Sequence, residues 1–302
     1  MLYTGSVNRI IFWGLIPFIF ALFLLFRVFE WQSLDDGGRQ KIAEQHEINL
    51  TNRSGIDCII LGGSNSVFSL SAEQMSIGSG LNCYNLSLLN EGYSDLAYFE
   101  FIRRMPIDRT EITTVLYSSV MPLSADSFSE RLKHNEEFVG ISGETDFQLI
   151  RRSIASYVKD LLQGKPLFTF NQYPTPNSNG DFRFELYDGC DATRIQINWT
   201  PVTFNKSFKQ WLENNIRTVK DLFPNAEISL VLPSTMRTNL DEETFDNFSS
   251  SLQAEVVRQS VKYIEQSQFS DINLLCESVC HANALGRELR TTELLSLIRT
   301  SN

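Results

Sequence analysis

Hydrophobic positions near the amino terminus form one uninterrupted run. Ile10 to Phe26 contains no charged residue over its 17 positions, and at about 1.5 Å per residue it nearly crosses a hydrocarbon core of about 30 Å. Trp13 and Trp31 lie near its two ends, where interfacial aromatic residues are common. The pattern predicts a membrane anchor within residues 1–31. A cleaved signal peptide, the alternative, would have a shorter apolar region followed by small residues.

Beyond this run the pattern changes to short apolar segments separated by amphipathic ones. Residues 32–54 are polar and charged, and they predict a stalk with one short helix. From residue 55 to residue 302, segments typical of buried strands alternate with segments typical of helices, which predicts an α/β domain with a parallel sheet covered on both faces. The predicted strands are 56–61, 83–86, 113–117, 227–232 and 272–275, and the predicted helices are 95–104, 207–223, 243–266 and 285–298.

One stretch, at about 124–206, interrupts the alternation between the third and fourth predicted strands. It begins with charged helical sequence and continues through a segment rich in turn-forming residues. Two short strands are predicted after that, one in 182–189 and one in 194–199. We interpret the stretch as an insertion of the kind that carries a binding surface or a cover.

Composition narrows the function classes. The chain has 26 Lys and Arg against 36 Asp and Glu, a formal net charge of −10, and no basic cluster, so nucleic acid is not an expected partner. Only three histidines are present, which excludes a histidine-rich metal site and leaves few candidates for a histidine base. We expect no metal and no cofactor.

The five cysteines leave the compartment open. Cys58 and Cys83 lie in apolar strand-like segments and are predicted to be buried core thiols. Cys276 and Cys280 are close in sequence and could pair with one another, or with Cys190, in an oxidising compartment. A C-x3-C spacing without a second closely spaced pair does not indicate a zinc site.

The segment Gly62-Gly63-Ser64-Asn65-Ser66 follows the first predicted strand. In open α/β sheets, ligands bind at the carboxyl ends of the strands, so a small hydroxyl on a tight turn is well placed for chemistry. An ordinary strand-to-helix turn is the plainer interpretation, because Gly, Ser and Asn favour turns. A phosphate loop is excluded, since the required lysine and the G-x-G-x-x-G pattern are missing.

His281 lies beyond the last predicted strand and opens the last predicted helix. Together with Ser64 it would supply what nucleophilic acyl transfer needs, namely a hydroxyl, an imidazole that takes its proton, and nearby backbone amides for the oxyanion. A loop histidine with no chemical role is the alternative.

These two segments, GGSNS near the start and H-x-N-x-x-G-R near the end, resemble the SGNH/GDSL hydrolase superfamily. More narrowly, they are similar to its membrane-anchored branch, which includes the D-alanine transfer protein of teichoic acid synthesis and proteins of alginate O-acetylation. The resemblance implies a three-layer, flavodoxin-like parallel sheet. It also implies that Ser64 is the nucleophile, with Ser66 as a second candidate, and that His281 is the base.

The resemblance assigns further positions around the nucleophile. Gly63 stands where the family has Asp, Asn65 follows the nucleophile, and Gly92 is the nearest match to an oxyanion-hole glycine. Ser278 stands where the family has the acid of its D-x-x-H block, so Glu277 is the carboxylate that would orient His281. The third family block is missing, because residues 118–122 read SSVMP and contain neither Gly nor Asn.

The resemblance therefore implies a membrane-anchored acyltransferase or esterase that acts on O-acyl groups of cell-envelope or exported polysaccharide. A membrane-bound O-acyltransferase is an expected partner. The domain is expected to face the periplasm or exterior, although the Lys and Arg flanks of the anchor do not decide its orientation. Two alternatives stay open: a catalytically degenerate member of the same fold that binds glycan or a partner, and a cytoplasmic nucleotide-binding α/β domain.

Overall fold

The domain is built on a five-stranded parallel sheet with the strand order β2-β1-β3-β4-β5. The computed structural model describes residues 39–89, 95–118, 174–187, 189–195, 203–236, 242–276 and 278–300. The strands are β1 (Cys58–Gly62), β2 (Cys83–Asn85), β3 (Thr114–Ser118), β4 (Glu227–Leu232) and β5 (Lys262–Glu265). This order is the flavodoxin-like one, and it confirms the predicted parallel α/β fold.

Helices flank the sheet on both faces. They are α1 (Arg39–Thr51), α2 (Ser64–Ser69), α3 (Ala72–Ser79), α4 (Asp95–Arg104), α5 (Lys206–Leu222), α6 (Glu242–Arg258) and α7 (Ala284–Thr300). Three short 3-10 helices lie at Phe184–Leu186, Ala192–Arg194 and Ile272–Leu274.

The alternation of side chains along β1 divides the interior into two cores, as the pleat of a strand requires. Ile59 and Leu61 belong to the larger core, which α5 and α6 help to fill. Ile60 points the other way, into a smaller core shared with residues of α3 and α7. The sheet is therefore the middle of three layers, and both of its faces are buried.

The helix predicted over 243–266 is wrong in its end, and the strand predicted over 272–275 is wrong in its type. The helix predicted over 243–266 ends at Arg258, and Ser260 then takes a positive φ of 54°. The chain continues into β5, an edge strand. Because its residues are half-exposed, their hydrophobic pattern resembled a continuation of the preceding helix. The predicted strand 272–275 is instead a 3-10 helix at Ile272–Leu274, and the Asp271 side chain accepts a hydrogen bond from the amide of Asn273.

The strand predicted in residues 182–189 is also wrong, because Phe184–Leu186 is a 3-10 helix. The aromatic residues that suggested strand alternation pack instead against the helix after β1. Most of the insertion, residues 124–173, 188 and 196–202, lies outside the described residues. The predicted anchor, residues 1–31, lies outside them as well. Among the helices that the structure does describe, none is long and apolar enough to cross a membrane.

Helix α1 lies within the segment predicted as a stalk and packs on the domain. Ile42 and Leu50 are part of the larger core. His46 is buried beside Tyr84, whose hydroxyl lies 2.9 Å from Nδ1. Burial lowers the pKa of His46 to about 3, against a hydrogen bond to the Ser87 backbone that raises it. His46 is thus a neutral structural residue at physiological pH.

Four of the five cysteines form disulfides. Cys58 pairs with Cys83, because the register of β1 and β2 places the two residues directly opposite each other, with their Cα atoms 4.3 Å apart. The prediction that these two are core thiols is therefore wrong. Cys276 pairs with Cys190, which is one of the alternatives that the sequence left open. Cys280 is in neither disulfide.

Candidate active site

The carboxyl end of β1 passes directly into α2 through a tight glycine turn. A Cβ added at Gly62 would lie 1.7 Å from the carbonyl oxygen of Ser118 and 2.1 Å from Oγ of Ser66. Only glycine therefore permits this close approach between the ends of β1 and β3. Gly63 is the N-cap residue in an extended conformation, and Ser64 is the first residue of α2.

The first backbone N–H group of α2 with a partner inside the helix is that of Ser66, not that of Ser64. The carbonyl of Gly63 accepts from the amides of Ser66 at 3.0 Å and Val67 at 3.1 Å. Since the first N–H groups of a helix have no partner within it, the amides of Ser64 and Asn65 lie at the open end of the helix. Asn65 is 5% exposed and Ser64 is half-buried.

Ser66, the second candidate for the nucleophile, is placed differently. Its side chain is fully buried, and its hydroxyl donates to the carbonyl of Ser118 at the end of β3. The hydroxyl therefore links the start of α2 to the end of β3. Of the two serines, Ser64 is the one at the surface of the turn.

His281 packs face to face on the helix that begins at Ser64. Its imidazole is stacked on the ring of Phe68, with ring centroids 4.4 Å apart and an interplanar angle of 7°. Phe68 is fully buried, whereas His281 is 8% exposed. Stacking of this kind fixes the plane of the imidazole, because a tilted ring would lose contact with Phe68.

Two further sets of hydrogen bonds hold the His281 loop. The Oγ of Ser69, the last residue of α2, donates to the carbonyl of Cys280 and accepts from the amide of Ala282, each at 3.4 Å. On its other side, the carbonyl of His281 accepts from the amide of Cys276 at 2.8 Å. Since Cys276 is linked to Cys190, a disulfide anchors the base of this loop.

The structure thus brings the loop before α7 against α2. Ser64 and Phe68 are four positions apart on a helix and share one face, and His281 stacks on Phe68. Gly63 and Asn65 flank Ser64. Gly92 and Glu277 lie outside the described residues, as do residues 119–122 of the missing third block. A direct contact between Ser64 and His281 stays a prediction.

An aromatic wall beside the site was not predicted from the sequence. We give this name to Phe182, Phe184 and Tyr187, from the end of the insertion, whose rings lie 4.5, 6.0 and 5.9 Å from that of Phe68. The guanidinium carbon of Arg287 lies 4.7 Å from the ring centroid of Phe184. The one available signal was the aromatic alternation in 182–187, which is equally typical of a strand.

Asp181, next to the aromatic wall, is a structural carboxylate. It is 1% exposed and accepts from Oγ of Ser71 at 2.8 Å and from the amides of Ala72 and Glu73 at 2.6 and 3.0 Å. Burial raises its pKa, against those hydrogen bonds and the nearby charge of Arg287. Asp181 therefore caps α3 and fastens the insertion to the domain.

No protein-family model and no curated protein matches the chain. Among solved structures, it is similar to a family two carbohydrate esterase from Clostridium thermocellum in complex with cellohexaose, at 10% identity and a TM-score of 0.42, over 82% of this chain and 65% of the other. It is also similar to an acetyl xylan esterase from the rumen bacterium Butyrivibrio proteoclasticus, at 9% identity and a TM-score of 0.39, over 81% of this chain and 63% of the other. The chain spans less than two thirds of the length of both esterases.

Proposed function

We propose that the chain is an SGNH-like serine esterase or acyltransferase that acts on O-acyl groups of cell-envelope or exported polysaccharide. The observation that supports it most is the stack of His281 on Phe68, one helical turn from Ser64, at the carboxyl end of a buried strand. His281 stacks on the same short helix that begins at Ser64, which supports the pairing of the two residues. A pairing at this place is what the chemistry of acyl transfer would require.

In the proposed reaction, His281 takes the proton of Ser64 Oγ as this oxygen attacks the acyl carbonyl carbon. The oxyanion forms beside the amides at the start of α2, and the alcohol leaves with the proton from His281. Water, or a hydroxyl of a second glycan, then attacks the acyl-serine and regenerates Ser64. With water the protein is an esterase, and with a glycan hydroxyl it is an acyltransferase.

The proposed setting is the outer side of the cytoplasmic membrane, with residues 1–31 as the anchor, 32–54 as a segment whose helix α1 packs on the domain, and 55–302 as the catalytic domain. Two disulfides support it, since disulfides persist in oxidising compartments. A membrane-bound O-acyltransferase that delivers acyl groups across the membrane is the proposed partner. Protease added to spheroplasts should then degrade the domain, and complete protection would contradict this location.

The test of the chemistry is a fluorophosphonate probe, whose phosphorus is attacked by an activated serine as fluoride leaves. Wild-type protein should be labelled on Ser64, and hydrolysis of a p-nitrophenyl acetate reporter should fall by about 10³-fold or more in Ser64→Ala and His281→Ala. Ser251→Ala, on the distant α6, is the matched control and should retain full labelling. A folded wild-type protein that takes no label would favour the degenerate, glycan-binding alternative.

A further inference from the structure

The Cys190–Cys276 disulfide joins the end of the insertion to the loop that carries His281. Cys276 is fully buried, and its amide donates to the carbonyl of His281 at 2.8 Å. Beside it, Leu275 and Ala282 form an antiparallel bridge that closes the base of the loop. Cys276 therefore belongs to the hydrogen-bonded frame that holds the histidine.

The other half of the disulfide belongs to the segment that follows the aromatic wall. A Cβ added at Gly189 would lie 2.4 Å from Oη of Tyr187 and 2.5 Å from its Cζ, so the chain runs against this ring just before Cys190. Farther along, Ile195 packs against the small core cluster that contains Ala282. Residues 189–195 therefore contact both the aromatic wall and the loop.

Together these contacts form a closed ring around the histidine. His281 stacks on Phe68, whose ring centroid lies 5.9 Å from that of Tyr187. From Tyr187 the chain leads to Cys190, and the disulfide and the amide of Cys276 lead back to His281. The S–S bond is a part of this ring that thiol exchange can open. Opening it would remove the covalent link between the aromatic wall and the His281 loop.

The two disulfides differ in their access to a reductant. Cys190 is exposed, so a thiolate can approach its side of the Cys190–Cys276 bond. Cys58 and Cys83 are both fully buried in the smaller core. Because exchange requires access to a disulfide sulfur, the Cys190–Cys276 bond should be reduced first.

We propose that the Cys190–Cys276 disulfide is a redox switch that positions His281, and that its reduction releases the His281 loop. A dithiol supplies the electrons: one thiolate attacks the sulfur of Cys190, forming a mixed disulfide as Cys276 leaves as a thiolate. The second thiol then displaces Cys190 and closes a cyclic disulfide. The two cysteines gain the two electrons and two protons that the dithiol loses. The effect on acyl transfer rests on the proposed function, since a released His281 would lose its stack on Phe68.

Selective reduction of the full chain tests the switch without any substitution. The folded protein is treated with dithiothreitol, alkylated and mapped by peptide. Cys190 and Cys276 should become labelled while Cys58 and Cys83 stay paired. Resistance of the Cys190–Cys276 bond, or loss of both disulfides together, would overturn the redox switch.

Hydrogen exchange then measures the loop itself, independently of catalysis. The amides of Cys276 and Asn283 donate to the carbonyls of His281 and Leu274, and reduction should speed their exchange by about tenfold or more. Amides of α5 serve as the reference and should exchange as before, because a local opening leaves the rest of the fold intact. Unchanged exchange at Cys276 and Asn283 after reduction of the bond would overturn the proposal.

Two double variants connect the switch to ester hydrolysis. Cys190→Ser with Cys276→Ala should lower kcat by about tenfold or more, with KM changed less, and dithiothreitol should have no further effect. Cys58→Ala with Cys83→Ala is the matched control, because it removes the buried disulfide instead. It should keep the wild-type kcat and its response to the dithiol. Equal losses of kcat in the two would show that the Cys190–Cys276 bond acts only through general stability. Should the control not fold, the selectively reduced wild type provides the comparison.

Failure of the switch and failure of the proposed function give different results. If Ser64 takes no fluorophosphonate label in the oxidised protein, the proposed function fails, and hydrogen exchange still decides the switch. If Ser64 is labelled and the ester is hydrolysed equally fast before and after reduction, the function stands and the disulfide does not position His281.

Discussion

His281 lies flat on Phe68, with 4.4 Å between the ring centroids and 7° between the ring planes. In a serine triad a carboxylate holds the imidazole by one nitrogen. In this chain the aromatic face of Phe68 holds the plane of the ring. We infer that Phe68 is a positioning residue for His281.

Phe68→Leu should therefore impair turnover more than stability. The substitution keeps an apolar side chain in the core and should cost about 1–2 kcal/mol in the free energy of unfolding. Loss of the stack should lower kcat for ester hydrolysis by about tenfold or more, because small displacements of a catalytic group are costly. Kinetics with an acetyl ester and urea denaturation measure the two effects separately.

Phe99→Leu is the matched control for this prediction. Phe99 is 2% exposed and belongs to the same core, but it lies on α4. It should show a similar loss of stability with kcat nearly unchanged. Equal losses of kcat in the two variants would show that Phe68 acts only through general stability.

Strong local periodicity explains what the sequence predicted correctly. Helix 95–104 was predicted with its observed bounds, and the helix predicted over 207–223 is found at Lys206–Leu222. In the latter, Phe208, Leu212 and Val219 recur at helical spacing and are all buried. The glycine-rich turn after β1 was also predicted, because an apolar run that ends in two glycines before Ser64 is typical of a strand followed by a tight turn.

What the sequence missed depends on contacts between distant residues. β5 is an edge strand of four residues, and only its pairing with β4 distinguishes it from an extension of α6. The aromatic wall forms only because the insertion folds back against α2. The stack of His281 on Phe68 joins residues more than 200 positions apart. Cys58 and Cys83 could be paired only once the register of two strands was known.

His46 should make the fold sensitive to mild acid. Burial lowers its pKa in the folded state to about 3, whereas the unfolded value is about 6.5, so the unfolded state binds more protons between these values. Stability should fall as the pH drops below about 6.5, by about 2 kcal/mol at pH 5. His46→Gln retains a partner for Tyr84 but does not titrate. Urea denaturation at pH 7.5 and 5 should show a smaller difference for this variant, and equal differences would contradict the assignment.

Asp181 should matter to stability through its three hydrogen bonds to the start of α3. Asp181→Asn leaves one acceptor oxygen for the hydroxyl and amides that now share the carboxylate. We expect a loss of about 1–3 kcal/mol in the free energy of unfolding. Asp271→Asn, at the exposed cap of a 3-10 helix, should lose less than about 1 kcal/mol. A smaller loss at Asp181 than at Asp271 would show that the buried cap contributes little.

Gly62 should be highly sensitive to the addition of a side chain. An added methyl group would overlap the Ser118 carbonyl and the Ser66 hydroxyl, both of which belong to the closely packed ends of β1, β3 and α2. Because the nearest contact is the backbone carbonyl of a central strand, that partner cannot rotate away. Gly62→Ala should therefore lower the free energy of unfolding by about 3 kcal/mol or more. It should also abolish fluorophosphonate labelling of Ser64, two residues further on.

Gly80→Ala provides the contrast, because it tests backbone conformation without a steric overlap. Gly80 ends α3 at a φ of +78°, and a Cβ placed there meets nothing within 4 Å. Its variant should lose about 1–2 kcal/mol, the usual cost of a left-handed conformation for a residue with a side chain, and should keep its labelling. Urea denaturation and probe labelling of both variants form the measurement. If Gly62→Ala is as stable as Gly80→Ala and is labelled normally, the β1–α2 turn is looser than the structure shows, and Ser64 is not held by it.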